Sequence, residues 1–546
     1  MKKEKQFKWL FGLTQGSRTL IFLLVFVAAF GAVASVFIAY LLRGFVDMAT
    51  GYIDTPFAVY LKLTVIALAV LGFLYISGIM LKAYIFAGIE GRLREKLLGM
   101  IMSKKLAEVQ KVHTGEMLVL LSDDTAEVSG FFPNLVDGIF KNIVLVVGSV
   151  IVMFVFSWQI ALIILITLPV MMVALNLFMP LIQKRSLALK EAEEANRKHM
   201  QETVSKVLLF KVYSMAPKAL MMQNTLYARK KGSQVRLAAL EGTSGFLNML
   251  FSIATFLIIL GIGALFVLRG ETTVGSLVAM LNLMGNITNP LGEVSGYISQ
   301  IAQAKASAER IRKLTELPCD NEPILRGEQK LGIVRGKNLS YAYDNGDIFK
   351  NVNFEAKPNE IIGIIGDSGS GKSTLTKLLM GLYEPKSGSV EYLSEQGNPI
   401  KNMLPYISYV PSDNFLFGGS IADNICMGEE VNPELMEIAA KEANIYEFVR
   451  SLPDGYGETI GEGSNSLSSG QAQRIGIARA LYKDSPVIVF DEPTSNLNAE
   501  SIEALHGTIQ KVSHGKICII VTHDASTKGI CDKVYRMENG ELKLEK

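Results

Sequence analysis

The sequence predicts a membrane protein in two parts, a domain of six membrane-spanning α-helices followed by an α/β domain. Three observations carry this. Every long uncharged run lies before residue 293, and the basic residues gather in alternate connections between those runs. Beyond residue 330 the texture becomes short β-rich runs separated by glycine and by amphipathic stretches. The expected divisions are 1–305 for the helical domain with long cytosolic stalks, 306–330 for a linker containing Pro318 and Pro323, and 331–546 for the α/β domain.

Composition agrees with this division. At 546 residues each part has enough chain to bury its own core. Charged residues make up 19% and hydrophobic ones 49%, a balance that suits a bilayer better than water. The net charge of +2 leaves no basic stripe for nucleic acid, which is excluded as a partner. Cys319, Cys426, Cys518 and Cys531 have neither metal-ligand spacing nor disulfide density, and read as reduced thiols.

A spanning helix needs about 20 apolar residues, because ~30 Å of hydrocarbon is crossed at ~1.5 Å per residue. Leu20–Leu42 satisfies that, and is about twice a signal peptide's apolar core, so it is expected to be retained. Leu63–Met80 is the second run, continuing as helix past Lys82. From Asn142 to Gln183 no residue is charged, and Ser157-Trp158-Gln159 offers a break, giving helices three and four. Gly242–Leu268 and Thr272–Gly292 flank the turn Arg269-Gly270-Glu271 and supply helices five and six. Lysine and arginine collect in the N-terminal tail and in the connections 82–141 and 184–241, which places those sides and the α/β domain in the cytosol. The plasma membrane is the expected location.

In the second part, the apolar run ending at Gly366 leads into Gly366-Asp367-Ser368-Gly369-Ser370-Gly371-Lys372-Ser373, followed by Thr374. This is GxxxxGK[ST] between a strand and a helix, the context that marks a P-loop NTPase. Its glycines let backbone N–H groups converge on phosphates and the helix adds its positive end. Lys372 is positioned to reach the β and γ phosphates of ATP, and Ser373 to ligate Mg2+. Val487–Phe490 is a buried-strand run ending in Asp491, a candidate for the Mg2+ shell, and Glu492, a candidate for polarising the attacking water. A further run, Ile517–Val521, ends at Thr522-His523, which places His523 where ligands bind in such a sheet.

Together with Leu467-Ser468-Ser469-Gly470-Gln471 and Asp491-Glu492-Pro493-Thr494-Ser495, these residues resemble the ATP-binding cassette, and the whole chain resembles ABC exporters whose membrane domain precedes the cassette. The resemblance implies an ATP hydrolase coupled to transport, a half-transporter that pairs with a second one. Two cassettes would meet head to tail, with Ser468, Gly470 and Gln471 of one touching the γ-phosphate held by the other. Tyr343 matches the aromatic residue that stacks on adenine, although its position also suits an ordinary strand tyrosine. Three positions depart from the family pattern: Ser412 stands where a glutamine is usual, Ser469 replaces the first glycine of LSGGQ, and Asn498 replaces an aspartate at the cassette interface. Thr114–Met117 and Val207–Lys211 resemble segments bearing coupling helices, expected to dock near residues 405–420.

The expected function is therefore outward movement of a small molecule, lipid or peptide, with an ATP-gated or regulatory membrane protein as the alternative. One chain carries both the phosphate loop and the LSSGQ segment, so a homodimer is the expectation and a heterodimer the alternative. In the sixth helix Asn282, Asn286 and Asn289 share one face. Amides avoid lipid, so this face should point to the bundle interior, either lining a cargo path or bonding neighbouring helices.

Overall fold

The computed structural model describes residues 12, 16–112, 114–320, 330–343, 346–412, 416–461, 467–494 and 499–546. They fall into two compact units, one within 1–102 and 113–316, the other within 103–112 and 317–546.

Six long helices build the first unit: α1 (Arg18–Ala49), α2 (Phe57–Met102), α4 (Thr114–Phe156), α5 (Trp158–Ser205), α7 (Ala216–Leu268) and α8 (Val274–Glu316). The short helices α3 (Leu106–Val109) and α6 (Val207–Val212) interrupt the series. Four of the long helices, α1, α2, α4 and α7, are long and apolar enough to cross a membrane among the described residues. The expected breaks occur for local reasons. Ser157 adopts an extended backbone that separates α4 from α5, and Gly270 takes φ 75° to turn α7 into α8.

Packing within this unit is apolar and close. Met280, Leu283 and Ile287 of α8 are buried against Met153, Ile160, Ile164 and Ile259. Asp47 fastens the far end of α1 to the start of α8. Its Oδ1 accepts from the Gly275 backbone N–H at 3.0 Å and its Oδ2 from the Thr273 hydroxyl at 3.0 Å, while Arg43 Nε lies 3.2 Å away. A carboxylate from one helix thus caps the positive end of another. No side chain fits at Gly275, because an added Cβ would stand 2.3 Å from the Arg43 carbonyl oxygen.

Residues 306–316, expected as linker, continue α8. Ala308, Ile311 and Leu314 are buried there, and Arg310 donates to both oxygens of Asp124, through Nε at 2.8 Å and through Nη2. The apolar spacing at intervals of three keeps one face of the helix apolar past the membrane span.

The second unit holds two sheets and a short ribbon. An antiparallel sheet runs β2 (Gly346–Ala356), β1 (Leu331–Tyr343), β4 (Ser387–Ser394). The larger sheet has the order β11 (Glu541–Leu544), β10 (Lys533–Glu538), β3 (Glu360–Gly366), β9 (Ile517–Thr522), β8 (Val487–Asp491), β5 (Ile407–Val410). Its strands are parallel except β11. The ribbon pairs β6 (Gly419–Ser420) with β7 (Thr459–Ile460). Strands β8 and β9 are buried along their whole length, as a sheet covered on both faces requires.

Residues 103–112 pack on this second unit although they lie between α2 and α4 in the chain. The Tyr383 hydroxyl donates to Gln110 Oε1 at 2.6 Å, Lys105 pairs with Glu384 at 2.5 Å, and Lys105 N–H donates to the Pro318 carbonyl at 3.1 Å. The docking segment is thus 103–112, against Tyr383 and Glu384. Thr114–Met117 opens α4 and Val207–Lys211 lies in α6, both in the first unit.

Candidate nucleotide-hydrolysis site

The site gathers at the carboxyl ends of β3, β8 and β9, where parallel sheets place ligands. β3 ends at Gly366, the phosphate loop follows, and helix α9 (Lys372–Leu379) begins. Close approach demands glycine at Gly366, where an added Cβ would lie 2.3 Å from the Met537 carbonyl oxygen. Gly371 takes φ 102° as the residue before the helix, a conformation that favours glycine. Lys372 is buried, and its Nζ donates to the carbonyls of Gly366 at 2.7 Å and Asp367 at 2.8 Å. The loop therefore holds its lysine across the concavity where phosphates would sit. Asp367, Ser368 and Gly369 form the exposed lip, and Ser373 is exposed on the first turn of the helix. The Ser370 hydroxyl is buried without a partner among the described residues.

Asp491, at the end of β8, is 6% exposed. Its Oδ2 accepts from the Tyr409 hydroxyl at 3.0 Å, and its Oδ1 is buried without a hydrogen-bond partner among the described residues. Burial raises its carboxyl above the usual carboxylate range, and Glu492 adds to this, while the Tyr409 bond and Lys377 and Lys372 oppose it. An orphaned buried carboxylate oxygen with a serine hydroxyl on the adjoining helix is the donor set of a hard divalent cation, so Asp491 and Ser373 fit Mg2+.

Tyr409 is a functional residue that the sequence motifs do not mark. Parallel pairing sets Tyr409 opposite Val489, and Asp491 lies two residues on, projecting to the same face. The strand Ile407–Val410 carries two hydroxyls, on Ser408 and Tyr409, so the sequence alone does not single out Tyr409.

Glu492 has φ 49°, a strained value for a glutamate, with its N–H bonded to the Val521 carbonyl at 2.7 Å. That bond directs the side chain beyond the sheet, where Oε1 stands 3.7 Å from His523 Nδ1. Glu492 and His523 are thus brought together. Tyr343 is 43% exposed, edge-on to Tyr341 and Tyr383 at 5.2 and 6.4 Å, and its hydroxyl is 3.3 Å from the Thr374 hydroxyl. The ring stands beside the phosphate loop.

Ser468 and Gln471 are not brought to that loop. Ser468 caps helix α10 (Ser469–Lys483): its hydroxyl accepts from Gln471 N–H at 3.3 Å and its own N–H donates to Gln471 Oε1 at 2.9 Å. Among the described residues no hydrogen bond joins Ser468, Gly470 or Gln471 to residues 366–374. The segment is a helix N-terminus closed by its own capping box. Ser412 is half-buried just past β5, and Asn498 lies outside the described residues.

Asn282 and Asn289 are exposed and Asn286 is half-buried, opposite the buried Met280, Leu283 and Ile287. The interior position expected for this stripe is not met within one chain. The larger apolar side chains of α8 fill the core and leave the amides outside.

Comparison with known proteins matches residues 21–291 to the ABC transporter transmembrane region family and residues 349–495 to the ABC transporter family. A multidrug resistance ABC transporter ATP-binding and permease protein of Lactococcus lactis subsp. cremoris is 30% identical over 450 residues, covering 79% of this chain and 74% of that protein. An ATP-dependent lipid A-core flippase of Legionella pneumophila is 26% identical over 513 residues, 92% of this chain and 87% of the flippase. The leukotoxin translocation ATP-binding protein of Mannheimia glucosida is 32% identical over 404 residues, 72% of this chain and 56% of that protein.

Proposed function

Because the chain belongs to the ABC transporter family, as an exporter-type membrane region fused ahead of one ATP-binding cassette, we propose that two copies assemble into an exporter with ATP held between their cassettes. ATP hydrolysis coupled to transport is the activity of this family. The observation that carries the two-copy reading is the separation within one chain: the phosphate loop has its lysine in place, while the Ser468-capped helix N-terminus makes no hydrogen bond to it among the described residues. A second chain supplies the missing half to each site.

In each composite site the loop N–H groups and Lys372 bind the phosphates, Tyr343 packs on the adenine, and Ser468 and Gly470 of the partner copy close over the γ-phosphate. Mg2+, held by Ser373 and Asp491, would neutralise charge on the phosphates. Glu492 orients the attacking water and accepts its proton, and His523 beside it contacts the γ-phosphate. Ser412 and Asn498 shift how closure is communicated to the membrane helices, with the cassette in the cytosol of the plasma membrane. The cargo is a small molecule, lipid or peptide, moved outward past the exposed amide face of α8, which a second copy would cover.

The test is reconstitution of the purified chain alone in vesicles. ATP-dependent dimerisation, hydrolysis and cargo movement are expected, with hydrolysis and movement lost at least a hundredfold in Glu492→Gln while ATP binding is retained. A chain that hydrolyses ATP only when a different half-transporter is added overturns the homodimer.

A further inference from the structure

Helices α1, α2 and α4 line an open cleft of about 800 Å3 within a single chain, in the size range of drug-sized ligand pockets. One wall is apolar, with Leu24, Val27, Leu71 and Leu74, and two aromatic rings, Tyr75 and Phe86, border it. The polar wall comes mostly from one face of α4, where Asp123, Glu127, Asn134, Asp137 and Lys141 recur at helical spacing, and Lys82 reaches it from α2. Gly130 lies against Phe86, whose ring an added Cβ would meet in ordinary contact at 3.7 Å.

The charges do not balance. Asp137 answers both lysines, Lys82 at 2.9 Å and Lys141 at 3.8 Å. Asp123 accepts from the Ser122 hydroxyl at 3.1 Å. Glu127 is half-buried and, among the described residues, makes no hydrogen bond or ion pair. Two lysines thus face three carboxylates, and the unanswered one borders an apolar, aromatic space. A half-buried carboxylate loses hydration without a partner, which favours a cation there. The apolar walls reject a small, strongly hydrated ion, and the ring faces favour a cation whose charge is spread over a hydrophobic body.

We propose that this cleft binds lipophilic monocations, with Glu127 as their counter-charge. The site belongs to one chain and is separate from the amide face of α8. It rests on the exporter reading only for the transport step after binding, because binding itself needs neither ATP nor a second copy.

The experiment measures equilibrium binding of tetraphenylphosphonium and of its anionic counterpart tetraphenylborate to the full chain in discs of zwitterionic lipid, without nucleotide. Glu127→Gln should weaken phosphonium binding about tenfold, the attraction of one charge pair across a few ångströms after screening by water, and should not weaken borate binding, which the same carboxylate opposes. Gly31→Leu should weaken phosphonium binding by occupying the cleft, since nothing lies within 4 Å of a Cβ added at Gly31. Unaltered phosphonium affinity in Glu127→Gln overturns the proposal. Should that variant not fold, as its thermal unfolding would report, unaltered affinity in Gly31→Leu overturns it instead. Loss of ATP-driven transport with this binding intact would speak against the exporter reading alone.

Discussion

Replacing Tyr409 with phenylalanine removes one hydroxyl and leaves the packing of β5 unchanged. That hydroxyl donates to Asp491 Oδ2 at 3.0 Å, and Asp491 Oδ1 has no protein partner among the described residues. The change therefore strips the buried carboxylate of its one hydrogen bond from the Tyr409 side chain. A hydrogen bond to a charged acceptor contributes roughly 1.5–3 kcal/mol. At about 1.4 kcal/mol per factor of ten, this corresponds to a Mg2+ requirement raised on the order of 10- to 100-fold, the span found for outer-shell partners of metal ligands. The assay is ATPase activity against free Mg2+ at saturating ATP, with binding of metal-free ATP measured separately and expected to be unchanged. A half-saturating Mg2+ concentration within about twofold of the unaltered chain, far short of the tenfold floor, refutes the assignment of Tyr409 as the residue that positions Asp491.

Lys372→Ala should weaken ATP binding itself, because the amine that spans the loop is lost; equal affinity by calorimetry would contradict this. Asp47→Ala uncaps α8 and removes the Arg43 pairing, at a cost of about 1–3 kcal/mol, read as a lower unfolding temperature in detergent; an unchanged melt would show that the α1–α8 link contributes nothing to stability. Asn286→Leu should alter cargo-stimulated ATPase while basal ATPase and thermal stability stay near their original values, and a fall in stability alone would mark the amide face as helix bonding. Exposed Cys319 should alkylate first in the native chain, ahead of buried Cys426, Cys518 and Cys531. Burial pushes Cys518 to about 12 and Cys531 to about 11 from an ordinary value of 9.0, so their contribution to stability is present below pH 9 and is lost between pH 9 and 12. Equal labelling of all four thiols in native protein at about pH 8, below the ordinary thiol value, would contradict the burial.

Features that depend on near neighbours in the chain could be read directly from the sequence. The break at Ser157 and the turn at Gly270 follow from local backbone preferences, and the phosphate loop from glycines between a strand and a helix. Long uncharged runs reveal helices because an unpaired peptide group is costly in hydrocarbon whatever packs beside it. Their full lengths were less legible: α8 continues to Glu316 because Arg310 meets Asp124, 186 positions earlier in the chain.

What only the tertiary structure decided are pairings between distant segments. The docking of 103–112 depends on Tyr383, Glu384 and Pro318, none of which is near it in sequence. The bond between Tyr409 and Asp491 spans 82 positions and exists because two nonconsecutive strands lie parallel in one register. The asparagine spacing on α8 showed that three amides share a face, but their direction depended on which larger side chains filled the core. The sequence by itself determined the helices, the loop and the chemistry at each strand end, since these arise from periodicity and short-range sterics. Register, docking and the unanswered charge of Glu127 emerged only in three dimensions, because packing selects among partners that are equally compatible with the local pattern.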